Sequence, residues 1–192
     1  KRAMARAKAL LSTTNTRDAH FIRAYAYLDS LGRRGHTLFL GEMRQLEKEF
    51  PDELEAKLFQ VRFVMNQLGF YSQPRTGYPN RRQILLDLLK SHPRHSAVHH
   101  YWIHAVEFGD HPEEGLESAA VVADLAPDVA HIVHMPGHIY YRTGDYDRAR
   151  TYFLRAAAVD SAYMVGQGIP VTRTWNYVHN LNYLLANYGE DG

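Results

Sequence analysis

The stretch His131-Ile-Val-His134-Met-Pro-Gly-His138-Ile-Tyr-Tyr-Arg-Thr-Gly144-Asp-Tyr-Asp-Arg-Ala149 decides the fold. At about 100° per residue along an α-helix, His131, His134, His138, Tyr141 and Arg142 share one sector, with Ile132, Val133 and Ile139 on the other side. This is an amphipathic helix whose polar face carries imidazoles. Gly144 stops it, and Tyr146 to Val159 begins a second helical pattern, so the stretch is a helix-turn-helix unit. Pro136 interrupts the first helix: an internal proline removes a backbone bond and costs about 3 kcal/mol or more, unless it opens a new first turn. The backbone between His134 and His138 is therefore expected to depart from the ideal, a broken local rule of the kind that marks functional sites.

Outward from this unit the same pattern repeats. Apolar residues recur at steps of three and four in residues 1–11, 17–31, 38–50, 53–68, 81–90, 96–108, 113–125 and 173–188. Asp52 stands where an N-cap would serve the helix that follows Pro51. Two proline- and glycine-bearing insertions, 70–80 and 165–172, separate helices, and the first reads as a mobile loop near the groove mouth. No segment alternates with a strand's period of two. The fold class is all-α.

Helix-ending prolines at 93 and 127 are 34 residues apart, and the glycines at 109 and 144 are 35 apart. Helix pairs at so regular a period cannot bury their faces alone and stack into a solenoid. The unit resembles the tetratricopeptide repeat family, whose small and aromatic positions are matched by Gly137, Tyr140, Ala149, Phe153 and Ala156. The preceding unit keeps Ala119, Val122 and Pro127 but carries a one-residue insertion around His111-Pro112, and Trp102 where the family has a small residue. The resemblance implies a single right-handed α-solenoid over residues 1–192, best matched over 95–163. The runs Phe50-Pro-Asp-Glu-Leu-Glu-Ala56, His100-Tyr-Trp-Ile-His-Ala-Val-Glu107, His134-Met-Pro-Gly-His-Ile-Tyr140 and Tyr177-Val-His-Asn-Leu181 also look like a group of bacterial tetratricopeptide proteins. That likeness bears on the fold and leaves function to the residues.

Ten of the twelve histidines lie between 92 and 179, which places any site in the second half of the chain. His99, His134 and His179 each stand ten residues before a helix-ending glycine, at 109, 144 and 189. In the resembled family the first helices line a concave groove, so the resemblance implies a ladder of these three, with His138 one turn further along. Two functional readings follow. The preferred one is a binding module whose groove of His99, His131, His134, His138, Tyr141, Arg142, His179 and Tyr183 takes a protein or peptide. The competing one is a metal-binding protein or metal-dependent enzyme holding zinc, copper or iron on His99, His134, His138 and His179. In it, Glu107 serves as base, ligand or orienter. His134 and His138 at i, i+4 can serve one ion, although Met135 stands where a His-Glu-x-x-His motif has its glutamate. His100 and His104, also at i, i+4, are expected to be satisfied between helices, and His131 to be a surface residue.

Other chemistries find little support. Lys and Arg total 22 against 21 acidic residues, so no bulk positive field argues for nucleic acid. Phosphate-binding loops and nucleophile elbows are missing, and with no cysteine there is no thiolate site. Arg62, Arg75, Arg81 and Arg82 near the 70–80 insertion read as a solvated face. No apolar run is long enough for a membrane span. The chain begins on Lys1, which leaves open both a missing N-terminal segment and the compartment, cytoplasmic or exported.

Overall fold

Residues 2–68, 76–77 and 79–190 are described by a computed structural model. Every regular element among them is helical: α1 Arg2–Ala9, α2 Thr16–Leu31, α3 Gly35–Glu49, α4 Leu54–Leu68, α5 Arg81–Ser91, α6 Ser96–Val106, α7 Leu116–Leu125, α8 Ala130–Arg142, α9 Tyr146–Gln167 and α10 Trp175–Glu190. None of these helices is long and apolar enough to cross a membrane. Most of the 70–80 insertion, with Tyr71, Arg75 and Tyr78, lies outside the described residues.

The helices fall into two compact units, α1 to α4 and α5 to α10. In the first, the Asn15 side chain accepts the Asp18 amide at 2.8 Å and so caps α2, satisfying one of the free amides of its first turn. Ala24, Phe39, Leu40, Met43, Leu46, Ala56 and Phe63 form its core, with the Phe39 and Phe63 rings stacked at 4.8 Å. Asp52 lies in a turn and α4 begins at Leu54, so Asp52 is one residue too early to be the cap.

In the second unit consecutive helices pack on one another, and α8 also meets α6 and α10 directly. Helices α6, α8 and α10 therefore form one layer, backed by α7 and α9. The interior is built from Val98, Ile103, Val106, Ala119, Val122, Val133, Met135, Ile139, Ala149, Phe153 and Ala156, all at most 3% exposed. Gly137 allows the tightest approach. A Cβ there would lie 2.3 Å from the Phe153 ring, so only a residue without a side chain lets α9 seat that phenylalanine against α8.

Helix α8 continues unbroken through Pro136, although the proline has no N–H to give the Ile132 carbonyl. It ends where Gly144 takes φ 81°, with the Asp145 amide donating to the Tyr140 carbonyl at 2.8 Å and the Gly144 amide to Tyr141 at 3.2 Å. The Asp145 side chain then caps α9 through the Arg148 amide at 3.1 Å. Gly166 does not stop α9, which runs on to Gln167. Gly168, at φ 63°, ends it, so the insertion expected over 165–172 is shorter in the fold. Helix α6 ends at Val106, and a 3-10 turn at Pro112–Gly115 precedes α7.

Candidate metal centre

Because α6, α8 and α10 share a layer, the residues on their facing sides converge. Helix α8 supplies His131, His134 and His138, spaced three and four apart and hence on one side. His100 and His104 come from α6, with Glu107 immediately after it, and α10 brings His179, Asn180 and Tyr183. Two groups result. In each of His134/His138/His179 and His100/His104/His131, one nitrogen from every ring lies within 4.8 Å of the others. His131 joins the groups, its ring 5.0 Å from that of His100 and 5.2 Å from that of His134.

The proton positions in the first group follow from its partners. Asn180 donates its amide to the Phe153 carbonyl at 2.8 Å, which turns its oxygen toward His134 Nδ1 at 3.2 Å. Nδ1 of His134 therefore carries hydrogen. Glu107, 2% exposed, sits between His104 and His138. Its Oε1 accepts from His104 Nδ1 at 2.6 Å, and its Oε2 lies 2.6 Å from His138 Nδ1 in an ion-pair contact. An ionised oxygen at that distance requires the proton on Nδ1 of His138 as well. The two Nε2 atoms then face each other at 2.9 Å.

Electrostatics support this assignment. Burial first, then the neighbouring His138, His131 and His179, hold His134 well below the usual histidine range, so its ring is neutral and its Nε2 is a bare lone pair. Burial pushes His131 down to about 4, helped by His104, His138 and His179, and burial also lowers His179. Burial alone would raise Glu107, but the charge of His138 and the hydrogen bonds from His104 and His138 outweigh it and hold the carboxyl at about 2. Tyr183, its ring 4.3 Å from that of His138, is pushed up to about 12 by burial and by Glu107.

A positive centre fits between the two Nε2 lone pairs. A proton shared by the two nitrogens would make an ordinary hydrogen bond. A metal ion would use the same two nitrogens and also the third, from His179, for which a proton has no need. Tetrahedral zinc with bonds of about 2.0–2.1 Å places its nitrogens about 3.3 Å apart, so the pair would open by about 0.4 Å. Imidazole donors suit zinc, copper, nickel and iron.

Of the residues expected in the groove, His131, His134, His138, His179 and Tyr183 come together, and His99 does not. Its Nδ1 meets the Ser118 hydroxyl at 2.8 Å and its Nε2 donates to the Pro93 carbonyl at 2.9 Å, on the side of α6 that faces α7. The glycine marks put α6 one residue out of register, because Gly109 stands nine residues after His100 whereas Gly144 stands ten after His134. The proline period of 34 maps His100 onto His134 and His104 onto His138, and was the signal that would have found both. Tyr141 points elsewhere, its hydroxyl 3.4 Å from Glu190. Arg142 donates to the carbonyls of Glu107 at 2.8 Å and Gly109 at 3.3 Å, so it holds the end of α6 rather than lining the site. Both oxygens of Glu107 stand against histidine nitrogens, His104 Nδ1 and His138 Nδ1. Asn180 was missed, as was Trp175, stacked on His179 at 4.5 Å.

Three solved structures of MamA share this architecture. An ArsTM double mutant of MamA RS-1 aligns with TM-score 0.60 and 15% identity over 84% of this chain and 85% of its own. MamA AMB-1 gives 0.58 and 15%, over 84% and 96%. MamA MSR-1 gives 0.56 and 12%, over 84% and 94%. The fold is a tetratricopeptide-like helical repeat. At such identities the likeness concerns the fold alone. No protein-family profile and no curated protein sequence matches the chain.

Proposed function

We propose that this protein is a metal-binding helical-repeat protein whose ion is held by His134, His138 and His179. One observation carries this: three imidazole nitrogens within 4.8 Å of one another, gathered around a pair of Nε2 atoms 2.9 Å apart whose Nδ1 atoms are already turned outward to Asn180 and Glu107. Pre-set tautomers and outer hydrogen-bond partners are the usual support of a histidine metal site. Three protein ligands leave a fourth position for water or another ligand, the arrangement of reactive zinc sites. The partly buried His179, the least buried of the three, gives that position an approach from solvent.

A second reading is a scaffold for a protein partner, in keeping with what repeat folds of this type do in general. It is favoured by apolar side chains standing in solvent on α10, among them Trp175 at 67% and Leu185 at 73% exposure. The two are compatible, since a metal site can order the helix that a partner contacts.

Calorimetric titration of zinc(II) and copper(II) into the metal-free protein without a histidine tag, and into His134→Ala and His138→Ala, tests the proposal. Binding by the parent and its loss in both variants is expected. Equal binding by all three would return the histidines to a polar lining.

A further inference from the structure

We infer that the protein carries a two-ion centre, with the second ion on His100, His104 and His131. The inference rests on the metal-binding function proposed above and extends it. The second triad meets the same distance condition as the first, each ring offering a nitrogen within 4.8 Å of the others, and His100 Nε2 lies 3.1 Å from His131 Nε2. It is also the first triad's counterpart by repeat: the i, i+4 pair His100/His104 on α6 recurs 34 residues later as His134/His138 on α8. Stacking two repeats in one layer brings the two pairs side by side, with the rings of His104 and His138 at 5.9 Å.

Two features tie the triads into one centre. Glu107 contacts one ligand of each, with Oε1 at Nδ1 of His104 and Oε2 at Nδ1 of His138, both at 2.6 Å. A single carboxylate thus fixes which nitrogen His104 and His138 can offer, and its charge is shared by both ions. His131 lies between the triads and its Nδ1 is buried with no hydrogen-bond partner. A buried imidazole left half satisfied is costly unless a ligand supplies the missing contact. Six imidazoles with one carboxylate form a nitrogen-rich set that favours borderline divalent ions, zinc and copper above all, over calcium or magnesium, which take oxygen.

Zinc(II) is the probe. Metal-free protein is loaded with excess zinc, dialysed, and its zinc per chain measured by elemental analysis, alongside His100→Gln and His179→Gln, with circular dichroism confirming that each is folded. Two zinc per chain in the parent and one in each variant is the expected result. One zinc in the parent, kept in His100→Gln and lost in His179→Gln, overturns the second site and leaves the single-ion function standing. No zinc in the parent overturns both. Two zinc in all three proteins would mark sites elsewhere on the surface and also overturns both. Glu107→Gln supplies a further check: it should weaken both ions by about 10- to 100-fold, as loss of an outer partner does, and weakening of one ion alone would contradict the shared carboxylate.

Discussion

His134 and His138 meet through their Nε2 atoms at 2.9 Å across one turn of α8, while their Nδ1 atoms are turned away to Asn180 and Glu107. On the proposed function, a metal ion between these two nitrogens takes the place of their mutual contact and ties both rings to one centre. Zinc should therefore stabilise the fold. At a free concentration 100 times Kd the gain is about 2.7 kcal/mol, which for a chain of this size raises Tm by roughly 5–10 °C. Differential scanning calorimetry with zinc and then with chelator checks this, and an unchanged Tm would count against an ion at this pair.

Asn180 sets the tautomer of His134. Replacing it with Ala removes the acceptor for Nδ1–H and strips the Phe153 carbonyl of its donor. Affinity for zinc is expected to fall about 10- to 100-fold, and the metal-free protein to lose about 1–3 kcal/mol for the buried carbonyl left unpaired. Calorimetric titration and urea unfolding read the two effects separately.

Acid should destabilise the metal-free protein in two stages. His131 has a folded-state pKa of about 4 against an ordinary 6.5, so the unfolded chain binds more protons between those values. The stability its neutral form contributes is complete above about 6.5 and is lost as pH falls toward 4. His134 and His179, also lowered, add to the same fall. Glu107, at about 2 against 4.5, contributes stability above 4.5 that is lost as pH falls toward 2. Thermal unfolding across pH 7 to 4 should show a declining Tm, shallower in His131→Asn. A flat profile between pH 7 and 5 would contradict neutral, buried imidazoles.

Gly137 tests the packing beneath the site. A methyl group 2.3 Å from the Phe153 ring forces a shift of α9 against α8, so Gly137→Ala should cost about 1–3 kcal/mol. Urea unfolding measures it, and a neutral outcome would mean that the two helices are free to separate there.

The helices were legible in the sequence because each carries its own periodicity and its own stop, such as Gly144 or Pro127. The site was legible only in part. His134, His138 and His179 stood out by spacing, and Glu107 by lying near them in a repeat register. His99 was chosen over His100 because a glycine was taken as the mark of register. The helix face that turns inward depends instead on how α6 packs against α7 after the 3-10 turn at Pro112–Gly115, which no local pattern encodes. For the same reason His131 read as a groove or surface residue and not as a partner of His100, and Asn180, an ordinary amide in sequence, stood out only when α10 brought it against His134.

The central claim is an ion at the His134–His138 pair. Crystals of the zinc-loaded protein, with diffraction recorded on either side of the zinc absorption edge, test it most directly. The account predicts an anomalous peak within about 2.0–2.1 Å of Nε2 of both His134 and His138 and of one ring nitrogen of His179. Fully loaded crystals with no peak there, and the two Nε2 atoms still in hydrogen-bond contact, would show that a proton and not a metal occupies the gap.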